Sequence, residues 1–254
     1  MKLATWNVNS LKVRLPHLLE WLGREQPDVV CLQETKTEDA NFPAHELRQA
    51  GYQPVFAGQR AYNGVAVLTR DAASDVVVAI PGFADEQKRA LAATVDGVRV
   101  MCVYVPNGET VESEKYRYKL SWLAALQKWL TDELKAHPQL ALLGDYNIAP
   151  EERDVHDPRL WEGKVLFSEP ERAAFRGLLG LGLKDSFRLF EQPDRSFSWW
   201  DYRMNAFKRN LGLRIDHILL SQELAGRARG SRIDKSVRAL ERPSDHAPVL
   251  TELQ

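Results

Sequence analysis

The sequence predicts an α/β fold built on mixed β-sheets, and three observations predict it. Strand-like and helix-like stretches nearly alternate along the 254 residues. Many strand-like runs are β-branched and apolar on both faces, which suits sheets covered on both sides. Asp96-Gly97 stands between two such runs as a hairpin signal, so part of the pairing is antiparallel.

In chain order, the strand-like runs are Leu3–Trp6, Val29–Leu32, Gly64–Thr69, Asp75–Ile80, Ala90–Val95, Val98–Val105, Leu140–Gly144, Ser196–Trp200, Arg214–Leu220 and Ala247–Leu253. Pro16 suits the first turn of a helix whose stripe continues through Leu18, Leu19 and Leu22. Tyr116, Leu120, Leu123, Leu126, Leu130 and Leu134 recur at threes and fours and mark a long amphipathic helix. Ser168-Glu169-Pro170-Glu171 reads as a capping box ahead of Phe175, Leu178 and Leu179, and Gly180 and Gly182 end that helix. Pro150–Leu166 is the least regular stretch. No repeat, low-complexity tract or linker divides the chain, so residues 1–254 read as a single domain.

Five of the apolar runs carry a carboxylate or carboxamide at one end. L-A-T-W stops at Asn7, V-V-C-L-Q at Glu34, and L-A-L-L-G at Asp145 and Asn147; Asp216 opens H-I-L-L-S, and Asp245-His246 opens A-P-V-L-T. The end of one strand and the start of an antiparallel neighbour lie at the same sheet edge, so these groups can meet. Negative charge so concentrated calls for a cation. Each group also has a local alternative. Asn7 can be a turn former, Glu34 a solvated loop carboxylate, Asp145 a turn cap and His246 a satisfied buried histidine. Asp216 can pair with Arg214 or Arg242.

Composition narrows the chemistry. The chain is 44% hydrophobic and 27% charged, in the range of ordinary globular proteins. Lys plus Arg number 34 against 35 Asp plus Glu, which argues against a protein that coats DNA by charge alone but allows an acidic site with a basic rim. Cys31 and Cys102 are too few for a thiolate zinc site or a disulfide framework and read as reduced core thiols of a cytosolic protein. His45-Glu46 begins like a zinc-protease helix, but Gln49 stands where the second histidine belongs. There is no G-x-S-x-G elbow, Walker loop or dinucleotide fingerprint. What remains is an oxygen-rich site suited to Mg²⁺, with Mn²⁺ able to substitute. The segment M-K-L-A-T-W-N has no signal-peptide core, and no run approaches the ~18 apolar residues of a membrane span, so a cytoplasmic protein without membrane contact is expected.

The motifs T-W-N-V-N-S (Thr5–Ser10), L-Q-E-T-K (Leu32–Lys36), Y-N-G-V-A (Tyr62–Ala66), Y-V-P-N-G (Tyr104–Gly108), G-D-Y-N-I-A-P (Gly144–Pro150), S-W-W-D-Y-R (Ser198–Arg203), L-R-I-D (Leu213–Asp216) and S-D-H-A-P (Ser244–Pro248) follow one another in a familiar order. The chain resembles the exonuclease III family of abasic-site endonucleases, within the endonuclease/exonuclease/phosphatase fold, from Met1 to nearly Gln254. The resemblance implies a four-layered α/β sandwich of the DNase I type, with two mixed sheets face to face and helices outside. It implies a Mg²⁺-dependent DNA-repair phosphodiesterase, a monomer acting on double-stranded DNA at abasic sites or 3′ ends.

Roles follow by resemblance, residue by residue. Glu34 is the clearest metal ligand, with Asn7, Asp145, Asn147 and Asp245 around it. Asp145 would activate water or protonate the leaving group; the general base stays open. Asn147 would donate to the phosphate, Tyr104 would place its hydroxyl there, and His246, oriented by Asp216, would hold or polarise it. Asn9, Lys36, Asn63, Asn107 and Trp199 would bind substrate, Trp199 as the wall of a pocket for a flipped abasic sugar. One of Trp199 and Trp200 belongs to the core, because strand neighbours face opposite sides. Arg60, Arg117, Lys119, Arg203, Lys208 and Arg209 are candidate phosphate contacts. The Pro150–Ser168 connection departs from the family pattern. A bulky His156, Trp161, Leu166 or Phe167 at the pocket rim would weaken abasic-site cleavage and spare 3′-end trimming. Two rivals share the fold. One is an enzyme for a non-DNA phosphoester, such as an inositol phosphate. The other is a non-catalytic nucleic-acid-binding regulator, which would need lost catalytic positions.

Overall fold

Period-two alternation sorts the apolar side chains of each strand onto two faces, and both faces are covered. A computed structural model describes residues 1–254. The elements run β1 (Lys2–Asn7), α1 (Leu11–Glu25), β2 (Val29–Gln33), α2 (Ala44–Gln49), β3 (Gln53–Ala57), β4 (Val65–Thr69), β5 (Ser74–Val78), β6 (Ala90–Val95), β7 (Val98–Tyr104), α3 (Glu114–Ala136), β8 (Leu140–Asp145), α4 (Pro158–Trp161), α5 (Glu169–Gly180), β9 (Lys184–Asp185), β10 (Trp199–Trp200), β11 (Gly212–Leu213), β12 (Asp216–Leu220), α6 (Gln222–Arg227), β13 (Ala228–Ile233) and β14 (Val249–Leu253).

They form two six-stranded sheets, ordered β13-β14-β1-β2-β4-β3 and β5-β6-β7-β8-β12-β9, with β10 and β11 as a small ribbon. Each large sheet is mixed: β1–β2 and β7–β8 are parallel, and the other pairs are antiparallel. Between the sheets lie Leu3, Val29, Cys31, Val67, Val100, Cys102, Leu143 and Ile218. The opposite residues of the same strands, Ala4, Trp6, Val30 and Leu32, pack outward with Leu18, Trp21 and Leu22 of α1. Met101, Val103 and Leu142 pack outward with Trp122, Leu126 and Leu130 of α3 and Phe175 and Leu178 of α5. The result is the four-layered sandwich that the motifs implied.

Local signals hold in several places. Asp96 and Gly97 take φ 49° and 76°, the positive pair that a two-residue hairpin requires. Ser168 and Glu171 make both hydrogen bonds of the capping box, and the helix ends at Gly180. Elsewhere the structure corrects the reading. Pro16 is the sixth residue of α1, not in its first turn; its missing N–H would have met the carbonyl of Lys12, which is exposed and open to water. The Ser196–Trp200 run contributes only Trp199–Trp200, because the Ser198 hydroxyl accepts from the Ile215 and Asp216 N–H groups and takes the chain out of a ladder. The Asp75–Ile80 run stops at Val78, with Ala79 at φ 67°. Two edge strands carried no signal: β3 contains Pro54, and β13 reads A-R-G-S-R-I.

Gly144 sets how closely the central pair β7–β8 approaches. A Cβ there would sit inside the van der Waals shell of the Val103 carbonyl oxygen, which is backbone and cannot yield. Gly144→Ala is therefore expected to destabilise the fold by more than about 3 kcal/mol in urea unfolding. A change under about 1 kcal/mol would show that the two strands have room to separate.

Candidate active site

The strand ends meet where the two sheets face each other. β1 ends at Asn7 and β2 leads into Glu34, side by side in a parallel pair. On the other sheet Asp216, the first residue of β12, pairs directly with Asp145, the last of β8, and Tyr104 of β7 flanks Asp145 on its other side. The Asn7 amide joins the sheets: its Nδ2 donates to Glu34 Oε1 at 2.8 Å and to Asp145 Oδ2 at 2.9 Å. His246, just ahead of β14, directs Nδ1 at the two oxygens of Asp216, 2.9 and 3.1 Å away, and Nε2 toward Asp145 Oδ2 at 3.7 Å. Asn147 donates its N–H to Asp145 Oδ1 at 2.9 Å and its Nδ2 to the Val105 carbonyl at 3.0 Å, and its Oδ1 accepts from Asn107 Nδ2 at 3.1 Å. Asn9, Glu34, Lys36, Asn63 and Asn147 all have φ between 43° and 52°. Left-handed backbone at so many non-glycine positions persists only where the surroundings over-determine it.

The charges are set by burial and by one another. Burial pushes the Asp145 carboxyl up to about 7; the Asp216 charge adds to this, and His246 and hydrogen bonds from Asn7 and Asn147 oppose it. Removal from water is the largest of these causes. Burial alone would lower His246, but the Asp216 and Asp145 carboxylates outweigh it and raise the imidazole to about 10. Glu34 is lowered: burial works upward and loses to the Lys36 ammonium, 2.8 Å from Oε2, and the Asn7 amide. Asp245 is lowered in the same way by His246 and by hydrogen bonds from Trp199 Nε1 and Asn9 Nδ2, both at 2.9 Å. Tyr104 rises well above the usual phenol, through burial and the charges of Glu34 and Asp145. Ligand atoms of Glu34, Asp145 and His246 lie within 4.8 Å of one another. Two carboxyl groups in one cleft form an oxygen donor set that fits a hard divalent cation, whose charge would offset the burial that holds Asp145 against ionisation.

The other expected site residues divide. Lys36 Nζ donates to Asn9 Oδ1 at 2.7 Å, so both belong to the cluster. Asn63 and Tyr104 line an adjoining groove of about 710 Å³ with Arg89, Tyr118 and the exposed Asn107. Trp199 is half-buried beside Asp245, and Trp200 is the core member of the pair. Arg60, Arg117, Arg203, Lys208 and Arg209 are exposed. Lys119 is not: it is fully buried against Glu171, so it is withdrawn as a phosphate contact. In the irregular loop Phe167 is fully buried under Arg172 and cannot form a rim, while Leu166 belongs to the apolar cluster against which Trp161 and Trp199 pack. Two residues that the sequence did not single out complete the site. Ser198 Oγ donates to Asp216 Oδ2 at 2.6 Å, and Ser244 Oγ donates to the Asn7 carbonyl at 2.6 Å. Their only signal was their place in the motifs S-W-W-D-Y-R and S-D-H-A-P.

The chain is similar to known proteins over its whole length. The model of the endonuclease/exonuclease/phosphatase family matches residues 4–246. The chain is 38% identical to exodeoxyribonuclease III of Haemophilus influenzae over all of both chains, and 34% identical to an exodeoxyribonuclease of Bacillus subtilis over 98% of each. Among solved structures it is similar to the 3′ phosphatase NExo from Neisseria, bound to a product DNA hairpin (47% identity, TM-score 0.98, 100% and 99% of the chains). It is also similar to an AP endonuclease from Archaeoglobus fulgidus (36% identity, TM-score 0.96, 100% and 99%).

Behind the site lies a buried polar network that the sequence did not reveal. Arg214, offered as a partner for Asp216, instead pairs with Asp154 at 2.7 Å and Asp185 at 2.8 Å. Arg188 also reaches Asp154. His217 Nδ1 lies 3.0 Å from Arg214 Nη1 and Nε2 lies 2.9 Å from the Ile148 carbonyl, so the neutral ring accepts on one side and donates on the other. Burial, then the Arg214 charge, lowers His217 to about 4. The unfolded chain thus binds a proton that the folded chain refuses between pH 6.5 and 4. Stability is lost as pH falls through that window, by up to about 3 kcal/mol. Urea unfolding at pH 7.5 and 5 should show this slope in the wild type and a flatter one in His217→Gln. Equal slopes would mean that His217 does not titrate this way.

Proposed function

The chain belongs to the endonuclease/exonuclease/phosphatase family, and on that premise we propose that it is a metal-dependent DNA-repair phosphodiesterase of the exonuclease III type. The observation that carries the reading is the convergence of Glu34, Asp145, Asn147, Asp216 and His246 at the facing ends of two sheets. Full-length similarity to nucleases named for DNA supports DNA as the substrate.

Hydrolysis of a phosphodiester needs charge neutralised at the non-bridging oxygens, a water made nucleophilic and help for the departing 3′-oxygen. Glu34 and Asp145, with Asn7, Asn147 and Asp245 around them, would hold the cation, read here as Mg²⁺. When bound, it would supply Lewis-acid neutralisation of the phosphate. Asp216 fixes the His246 ring by Nδ1 and leaves Nε2 facing the cleft, where it meets a phosphate oxygen. The second Nδ2 hydrogen of Asn147, the one not given to the Val105 carbonyl, and the Tyr104 hydroxyl would be further donors there. Asp145 Oδ2 is the carboxylate oxygen placed to take a proton from water or to return one to the leaving oxygen. Trp199, held by Asp245, offers a flat apolar wall to a sugar without a base.

A narrower reading concerns lesion choice, and Leu166 favours it. This buried residue sits at φ 77°, unusual for a large side chain, in the cluster that supports Trp199. Such bulk beside the wall reduces room for a flipped abasic nucleotide and leaves a 3′ terminus, which need not be flipped, unhindered. The similarity to a 3′ phosphatase accords with this preference.

One gel tests both levels. Duplexes with a central abasic-site analogue or a 3′-phosphate are incubated with Mg²⁺ or EDTA. Asp145→Ala and His246→Ala should each lower turnover by about 10²–10⁴, and EDTA should abolish it; cleavage that persists in EDTA, or near-wild-type turnover in both variants, would sink the mechanism. Leu166→Gly, which suits the positive φ, should raise abasic-site cleavage relative to 3′-phosphate removal. An unchanged ratio would remove Leu166 from lesion choice.

A further inference from the structure

Lys119 points from α3 into the interior, and both it and Glu171 are fully inaccessible to solvent. Its ammonium has three hydrogens and three acceptors: the Asn147 carbonyl at 2.7 Å, the Asn107 carbonyl at 3.0 Å and Glu171 Oε1. Those carbonyls belong to the two loops whose side-chain amides meet at the site, Asn107 Nδ2 donating to Asn147 Oδ1. Glu171 is satisfied as fully. Its Oε1 accepts from the Leu166 N–H and its Oε2 from the Ser168 N–H, each at 3.0 Å, and Tyr116, one turn before Lys119, bonds Ser168 Oγ at 2.6 Å. Packing leaves no slack. A Cβ on Gly108 would lie 3.1 Å from Val165 Cγ2, 3.2 Å from Lys119 Cδ and 3.3 Å from Tyr116 Cδ2. A buried ion pair is poor evidence of stabilisation, because desolvating both charges offsets their attraction. Its use lies in what it holds.

We propose that Lys119 is a positioning residue for phosphodiester hydrolysis. By gripping the carbonyls of Asn107 and Asn147 it sets the spacing of their loops, and so the bond from the Asn107 amide that orients Asn147 toward the phosphate. Glu171 supplies the counter-charge and ties the same lysine to the Leu166–Ser168 segment. The proposal rests on the reading that Asn147 donates to the phosphate.

A double-mutant cycle tests it on the full chain with Mg²⁺. Lys119→Met together with Glu171→Gln removes both charges and keeps one acceptor oxygen, which can serve the Ser168 N–H of the helix cap but not the Leu166 N–H as well. Turnover of a 3′-phosphate duplex should fall by about ten- to a hundredfold, with KM within about threefold. In an Asn147→Ala background the same pair of changes should cost less than about threefold, since Lys119 acts through Asn147. If Asn147→Ala is impaired and the losses multiply, or if only KM rises, the positioning role is overturned and the active site stands. If Asn147→Ala is as active as the wild type, the reading of the site falls and this role with it. Should the charge-free pair fail to unfold cooperatively, Lys119→Met alone carries the same cycle, because a Glu171 left without its ammonium can take a proton and its two oxygens still face the Leu166 and Ser168 N–H groups; multiplied losses there overturn the role equally.

Discussion

The bridge from Asn7 to Glu34 and Asp145 depends on the packing of one sheet against the other, and the site depends on that bridge. Glu34 and Asn7 belong to one sheet, and Asp145 and Asp216 to the other. Neither sheet alone carries both Glu34, whose carboxyl is held down, and Asp145, whose carboxyl is pushed up to about 7. The layer of Leu3, Val29, Cys31, Val100, Cys102 and Leu143 between them holds the strand ends in register. Dense packing of this kind transmits small displacements without absorbing them. A shift of the sheets would therefore separate carboxylates that hydrolysis needs together.

Around this seam, polar groups are held by other polar groups to an unusual depth. Asp216 is fixed by Ser198 and fixes His246; Asp245 is fixed by Asn9 and Trp199; Asn147 is fixed by Val105, Asn107 and Lys119. Each bond removes a rotamer from a group proposed to act at the phosphate or to hold one that does, and such pre-organisation favours a transition state because no reorganisation is left to do. The left-handed residues at Asn9, Glu34, Lys36, Asn63 and Asn147 are the backbone counterpart of the same pre-organisation.

Much of this was legible in the chain. Apolar runs marked the central strands because both their faces are buried, so each residue carried the signal. Edge strands failed for the opposite reason: β3 and β13 bury one face or little at all, and Pro54 and the polar A-R-G-S-R-I carry no alternation to read. The capping box at Ser168–Glu171 was visible as a local pattern, but its second task was not. That Glu171 also meets Lys119, 52 positions earlier, depends on how α3 and α5 lie against each other. Lys119 looked like a surface cation for the same reason, since a heptad-like stripe shows which face is apolar and not which long side chain turns inward.

The sequence by itself determined the chemistry class. The carboxylates, amides and histidine at strand ends are local facts, and strand direction places those of each sheet at one edge of it. Only the tertiary structure decided how those groups are charged and what holds them, because desolvation, ion pairing and hydrogen-bond partners are properties of distance between segments far apart in the chain. Arg214 illustrates the division. Its place beside Asp216 suggested one partner, and the fold assigned it Asp154 and Asp185. That choice freed Asp216 for His246.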